Sequence, residues 1–205
     1  MIRDVFLSFT GILLFAGFIH QSFPLRLLAF GGLAGTAATI GITTRKIPVL
    51  KTFGLNLLNR KVLLYFLPAL ALGLILGILT RNRFELTLIP GGFTGVALVA
   101  PMVGATEELV FRGYIQGRLR PGGAFFSIIG ATAFHTSYKL LLILTLAVPL
   151  QFDFLFLMFW TFLGGVLFGI LREGSGSCLP PLLAHAFFDV ILYGGLATAP
   201  VWVWS

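Results

Sequence analysis

The sequence predicts an all-α, polytopic integral membrane protein, a bundle of about seven or eight transmembrane helices. Two observations carry this. Hydrophobic residues make up 58% of the 205 residues and charged residues only 10%, where a soluble domain carries about 25% charged residues. Six stretches also contain no Asp, Glu, Lys or Arg: Val5–Leu25, Leu27–Thr44, Val62–Thr80, Leu86–Thr106, Pro121–Tyr138 and Phe154–Leu171. Each is about 18–21 residues long, enough to cross a bilayer core as a helix. The stretches are continuously apolar rather than alternating, which argues against a membrane β-barrel.

Taken in order, the first stretch follows Arg3 like a signal peptide. It lacks a clear small-x-small cleavage site and is long enough to span, so it reads as a retained helix. The second and third are flanked by charges at both ends. The fourth is punctuated by Pro90, Gly91, Gly92, Pro101 and Gly104, residues that break or kink helices. A break at Pro90-Gly91-Gly92 starts a helix near Phe93 and leaves Glu107 at or below the cytoplasmic interface. The fifth and sixth stretches are uninterrupted. Leu140–Phe152 is shorter and reads as half of a broken helix or a re-entrant segment. Gly174–Ser205 carries one charge, Asp189, and supplies the last span. Residues 1–85 read as scaffold helices. Residues 86–200 hold every intramembrane acid and two of the three histidines, and read as the working core.

The net charge of +7 is not a nucleic-acid signature, because its distribution follows the spans. Arg45, Lys46, Lys51, Arg60 and Lys61 share one loop; with Arg3, Arg112, Arg118, Arg120 and Arg172 they fall on one predicted side. Arg26, Arg81, Arg83 and Lys139 fall on the other. Basic residues collect on the cytoplasmic side of membrane proteins, so the N-terminus is expected in the cytoplasm. A lone cysteine, Cys178, forms no internal disulfide.

A charged side chain within a membrane helix costs about 2.5–3.5 kcal/mol on insertion scales, so such residues point to function. The candidates are Glu107, Glu108, Arg112, His135, His185 and Asp189. Glu108 and Arg112 lie four apart on one helix face and can pair. Glu107 points about 100° away and has no partner within its own turn; a carboxylate so placed can activate water. His185 and Asp189 repeat the four-residue spacing, and a carboxylate there can fix the imidazole's tautomer. His135 lies late in the fifth stretch. Three helices thus bring polar groups into an apolar bundle, which is tolerated where they converge. Each group also has a plainer reading: interfacial snorkelling for the glutamates and Arg112, helix–helix hydrogen bonding for the histidines. His20, at the end of the first span, reads as structural.

The ordered pattern Glu107-Glu108-x-x-x-Arg112, then His135, then His185-x-x-x-Asp189 resembles the CPBP intramembrane proteases. These are the type II CAAX prenyl endopeptidases and the bacteriocin-processing or immunity proteins. The resemblance covers roughly residues 90–200. The family's second motif is Phe-x-x-x-His; here Ala131 stands in the Phe position, and Phe134 is expected to supply the bulk. The resemblance implies an intramembrane endopeptidase acting on membrane-tethered substrates, with removal of the residues after a prenylated cysteine as the best-known reaction. It implies that Glu107 activates water with the help of His135, and that His185 and Asp189 serve the oxyanion. Glu108 and Arg112 support the site. Asp189, an acceptor where the family also has Asn, is expected to orient His185.

Alternatives remain at this level. Glu107, His135 and His185 could bind zinc, since two His and one Glu form a known catalytic set; the His-Glu-x-x-His spacing is missing, and no cofactor is favoured. Neither Cys178 nor Ser137 sits in a recognisable nucleophile setting. A non-catalytic immunity or scaffold protein of the same fold is one rival. A proton-coupled transporter is another, although no inverted repeat is visible. The expected partners are membrane lipid and a membrane-anchored or prenylated protein or peptide.

Overall fold

Helices α1 (Ile2–Phe18), α2 (Arg26–Thr44) and α4 (Arg60–Arg83) occupy the first half of the chain, with a short α3 (Val49–Thr52) in the basic loop. The second half holds α5 (Gly95–Glu108), a π-helical segment (Leu109–Ile115), α6 (Gln116–Leu119), α7 (Ala124–Leu144), α8 (Phe154–Ser175) and α9 (Leu179–Tyr193). The structure is a computed structural model describing residues 2–56, 60–146 and 153–198, and among them there is no β-strand. By length and composition α2, α4, α7 and α8 are each able to cross a membrane; α9 is a shorter apolar helix. The all-α, multi-pass expectation agrees with this architecture.

The fourth stretch behaves as its glycines and prolines predict. Residues 86–94 are not helical, and α5 begins at Gly95, two residues after the expected start. Thr94 Oγ1 donates to Leu196 O at 2.5 Å and ties that entry to the end of α9. The helix then continues through Pro101.

Two expectations about helix ends are corrected. The helical run does not end at Glu107 and Glu108. It continues through the π-helical segment and α6 to Leu119, which places both carboxylates midway along it. Lys139 does not close the fifth span either. α7 carries on to Leu144, so residues 140–144 belong to it rather than to a separate half-helix; residues 147–152 lie outside the described residues. The physical reason is the same in both cases. These charges are paired with one another inside the bundle.

The charge distribution changes accordingly. Arg81, Arg112 and Lys139 are buried and are not loop charges. The exposed basic residues near Arg45–Lys61 are faced at the opposite ends by Arg26 and Arg83. Arg81 holds two helices together. Its Nη1 donates to Ile191 O, Leu192 O and Gly194 O at 3.0, 2.9 and 2.8 Å. Those carbonyls at the C-terminal end of α9 have no intrahelical partner. One guanidinium thereby anchors α9 to α4.

Small residues let the helices approach closely, as is usual where lipid supplies no hydrophobic drive between them. A Cβ on Gly73 of α4 would come within 3.1 Å of the Phe188 amide nitrogen and collide with Ala184 O. α1 docks on α2 with Thr36 Oγ1 donating to Ser8 O at 2.8 Å. Its other face joins Phe111, Tyr114, Ile115 and Tyr138 in the largest apolar core. Large hydrophobic side chains such as Leu67, Met102 and Phe125 are left exposed, as suits an integral membrane protein.

Candidate active site

α5 delivers Glu107 and Glu108, the π-helical segment delivers Phe111 and Arg112, α7 delivers His135, Tyr138 and Lys139, and α9 delivers His185 and Asp189. All nine are buried, Glu108 completely. The six residues singled out from sequence converge on one cluster.

Glu108 is its hub. Its Oε1 accepts from Arg112 Nη1 at 3.1 Å and lies 2.9 Å from His185 Nδ1. Arg112 Nη1 also reaches His135 Nδ1 at 3.3 Å. Because a guanidinium only donates, His135 Nδ1 is the acceptor and the ring proton sits on Nε2. That Nε2 points at Glu107 Oε2, 3.4 Å away. Arg112 therefore sets the tautomer of His135 as well as pairing with Glu108.

Glu107 has no partner within its own helix turn and takes its partners from α7. Its Oε1 accepts from Tyr138 Oη at 3.2 Å and from the Lys139 ammonium at 2.7 Å. The cation comes from α7, one turn past His135. Sequence reasoning misses Lys139 because it reads it as a loop charge. The signal is present all the same: His135 and Lys139 are four apart, the spacing that marks Glu108–Arg112 and His185–Asp189.

His185 is oriented chiefly by Glu108. Its Nε2 lies 3.9 Å from Asp189 Oδ2, beyond hydrogen-bonding distance, so Asp189 acts on it through charge alone. Gly104, one turn before Glu108 on α5, makes room for this pair. A Cβ there would lie 2.9 Å from His185 Cδ2 and 3.1 Å from Nε2, and would run into Asp189 Oδ2. Gly104 is thus a contact point between α5 and α9.

Phe134 does not supply the missing aromatic of the second motif. Its ring packs on Phe9 and Phe6, with centroids 4.4 and 5.7 Å away, towards α1. The ring against His135 is Phe111 of the π-helical segment, at 4.6 Å. Phe168 covers His185 at 5.4 Å.

A cavity of about 100 Å³ opens on the cluster between α4, α7, α8 and α9. His135, Lys139, His185 and Tyr193 form its polar wall, and Phe84, Phe156, Trp160, Phe168 and Phe188 its aromatic one. Such a mix of apolar walls and a few convergent polar groups is characteristic of small-molecule and peptide sites.

Among the described residues no group of three His, Cys, Asp or Glu side chains could hold a metal ion. At Glu107, His135 and His185, the three residues considered for zinc, His185 Nδ1 is turned to Glu108, His135 Nδ1 to Arg112, and the Lys139 ammonium lies 2.7 Å from Glu107 Oε1. Cys178, in the turn between α8 and α9, is buried and donates to Glu108 O at 3.3 Å. Burial, aided by the Glu108 carboxylate, pushes its thiol up to about 12, so it presents no thiolate. Ser137 lies on the far side of α7, turned away from the cluster.

The model of the family described as type II CAAX prenyl endopeptidase Rce1-like matches residues 89–191. No curated protein matches the chain.

Proposed function

Since the chain belongs to the type II CAAX prenyl endopeptidase Rce1-like family, we propose that it is an intramembrane endopeptidase in which Glu107 activates the hydrolytic water. The substrate is a membrane-tethered protein or peptide, and its cleavage removes the residues that follow a prenylated cysteine. The observation that carries this reading is the placement of Glu107 and His135 side by side, His135 Nε2 at 3.4 Å from Glu107 Oε2, with His135 on the wall of a cavity whose aromatic side suits a lipidated chain.

In the proposed reaction a water beside Glu107 Oε2 and His135 attacks the scissile carbonyl, and Glu107 takes its proton. General-base assistance of this kind contributes about 10²–10⁴-fold. His185 Nε2, the nitrogen not held by Glu108, faces the developing oxyanion. With Glu108 at 2.9 Å and Asp189 at 3.9 Å, the ring is compensated in its doubly protonated form, in which Nε2 donates. A preorganised donor in a water-poor cavity is worth about 2.7–4 kcal/mol of barrier. Glu108 and Arg112 hold the two histidines in register. Residues 86–200 form the catalytic core on the scaffold of residues 1–85, and the basic loop sets the N-terminus in the cytoplasm.

The test is cleavage of a farnesylated reporter peptide by purified protein in detergent, for wild type and Glu107→Gln, with and without a strong chelator. Cleavage lost in the variant and unaffected by the chelator supports a glutamate-activated water. Cleavage lost with the chelator and restored by zinc assigns Glu107, His135 and His185 to a metal instead. A folded wild type that cleaves nothing overturns the reading in favour of a non-catalytic member of the fold.

A further inference from the structure

We propose that Lys139 is a positioning residue for Glu107: together with Tyr138 it pins Oε1, so that Oε2 is the oxygen presented to water. This rests on the reading of Glu107 as the base. The two oxygens of Glu107 are treated differently by the protein. Oε1 carries the 2.7 Å ion pair to Lys139 and the 3.2 Å bond from Tyr138. Oε2 faces His135 at the longer distance of 3.4 Å. A carboxylate offers about four lone-pair sites; the two strong donors fill those of Oε1 and leave Oε2 with capacity to spare.

All three contacts come from one element. His135, Tyr138 and Lys139 are spaced on α7 so that they share a face, and they grip both ends of a carboxylate carried by α5. The rotation of the Glu107 carboxyl plane is therefore dictated by α7 and not by its own helix. Lys139 also lines the cavity, so its ammonium lies beside the reacting atoms while its contact is with the base. The ordered Glu-Glu-x-x-x-Arg, His and His-x-x-x-Asp pattern does not contain this lysine. A carboxylate free to rotate would present its oxygens to water in turn. Misplacing a reacting group by about 1 Å can cost about 10²-fold in rate.

The experiment compares kcat and KM of wild type, Lys139→Met, Lys139→Arg and Tyr138→Phe on the farnesylated reporter peptide, and adds propylammonium to Lys139→Ala. The expected result is a fall in kcat of about 10²-fold in Lys139→Met with KM within about two-fold, most of the loss recovered in Lys139→Arg, and a smaller fall in Tyr138→Phe. Propylammonium, which replaces the atoms lost from Cγ to Nζ, restores turnover to Lys139→Ala, and tetramethylammonium, which has no N–H, does not. A merely structural lysine would give neither that rescue nor the split between kcat and KM. Lys139→Met with wild-type kcat overturns the proposal, and so does a loss confined to KM, which would make the lysine a substrate contact. If Lys139→Met fails to fold, Tyr138→Phe, which removes one hydroxyl, and Lys139→Arg carry the test; unchanged kcat in the first or no activity in a folded second overturns it. A wild type inactive on the reporter fails the reading of Glu107 itself, a result separable from an active wild type that ignores Lys139.

Discussion

Glu108 on α5, completely buried, and His185 on α9, buried at the cavity wall, are joined by a 2.9 Å contact between Oε1 and Nδ1. The same oxygen carries Arg112. Removing the carboxylate strands a buried guanidinium, and breaking a buried pair by deleting one partner costs about 3–5 kcal/mol. Glu108→Ala is therefore expected to lower the thermal unfolding midpoint in detergent substantially and to abolish turnover. Glu108→Gln, which keeps an acceptor oxygen, is expected to retain more of the fold than of the activity. A Glu108→Ala protein as stable as wild type would mean that the hub carries no weight.

Gly104 supports a second prediction. Gly104→Ala adds one methyl group against His185 Nε2 and Asp189 Oδ2, while alanine is the better helix former by about 1 kcal/mol. The expected outcome is a helix content unchanged by circular dichroism and a kcat reduced by at least about ten-fold, because the ring must move by a few tenths of an ångström or more. Unreduced kcat would show that His185 has slack in its seat.

The two phenylalanines near His135 should separate cleanly. Phe111 packs at a tilt against the imidazole and is 2% exposed; Phe134 packs outward on Phe9. Large-to-small changes of this kind cost about 3–5 kcal/mol when the ring is fully buried. Phe111→Ala is expected to cost both stability and kcat. Phe134→Ala is expected to cost stability alone, with kcat per folded molecule kept. Steady-state kinetics normalised to folded protein distinguishes them.

Arg81 gives a prediction far from the chemistry. Its guanidinium spreads over three α9 carbonyls and the Thr87 hydroxyl, a fork that a point-charge ammonium does not reproduce. Arg81→Lys should therefore destabilise nearly as much as Arg81→Ala, lowering the unfolding midpoint of both and leaving KM unchanged in the folded fraction. Full rescue by lysine would mean that charge, and not the fork, holds α9.

Much of this architecture is legible in the sequence. α2, α4 and α8 sit within a few residues of the uncharged runs that predict them, since charge at both flanks ends an apolar helix. Glu108–Arg112 and His185–Asp189 are marked by helical spacing. What is hidden has a common cause. Glu107 and Lys139 neutralise each other across two helices, so neither marks a membrane boundary, and counting uncharged residues stops α5 and α7 too early. The bond from Glu108 to His185 and the packing of Phe111 against His135 depend on how helices far apart in sequence are rotated about their axes, which local spacing does not encode. The substitution of Ala131 for an aromatic residue is visible in the letters; that a ring from the π-helical segment lies against His135 is not.

The π-helical segment between Glu108 and Gln116 has a consequence for how this gene can change. A π turn closes from residue i to i+5 where an α turn closes to i+4, so the segment holds surplus chain relative to a plain α-helix. Deleting a single codon there would let the ladder relax to the α form with its two flanks nearly in phase, because the π turns spread one extra residue over about the same rotation. Glu107 and Glu108 would then keep their side of the helix relative to Leu119. In the plain α-helical stretches the same deletion turns one flank by about 100° relative to the other. A deletion scan of the gene should accordingly find a single-residue loss better tolerated here than in α7 or α9, although the segment carries Arg112.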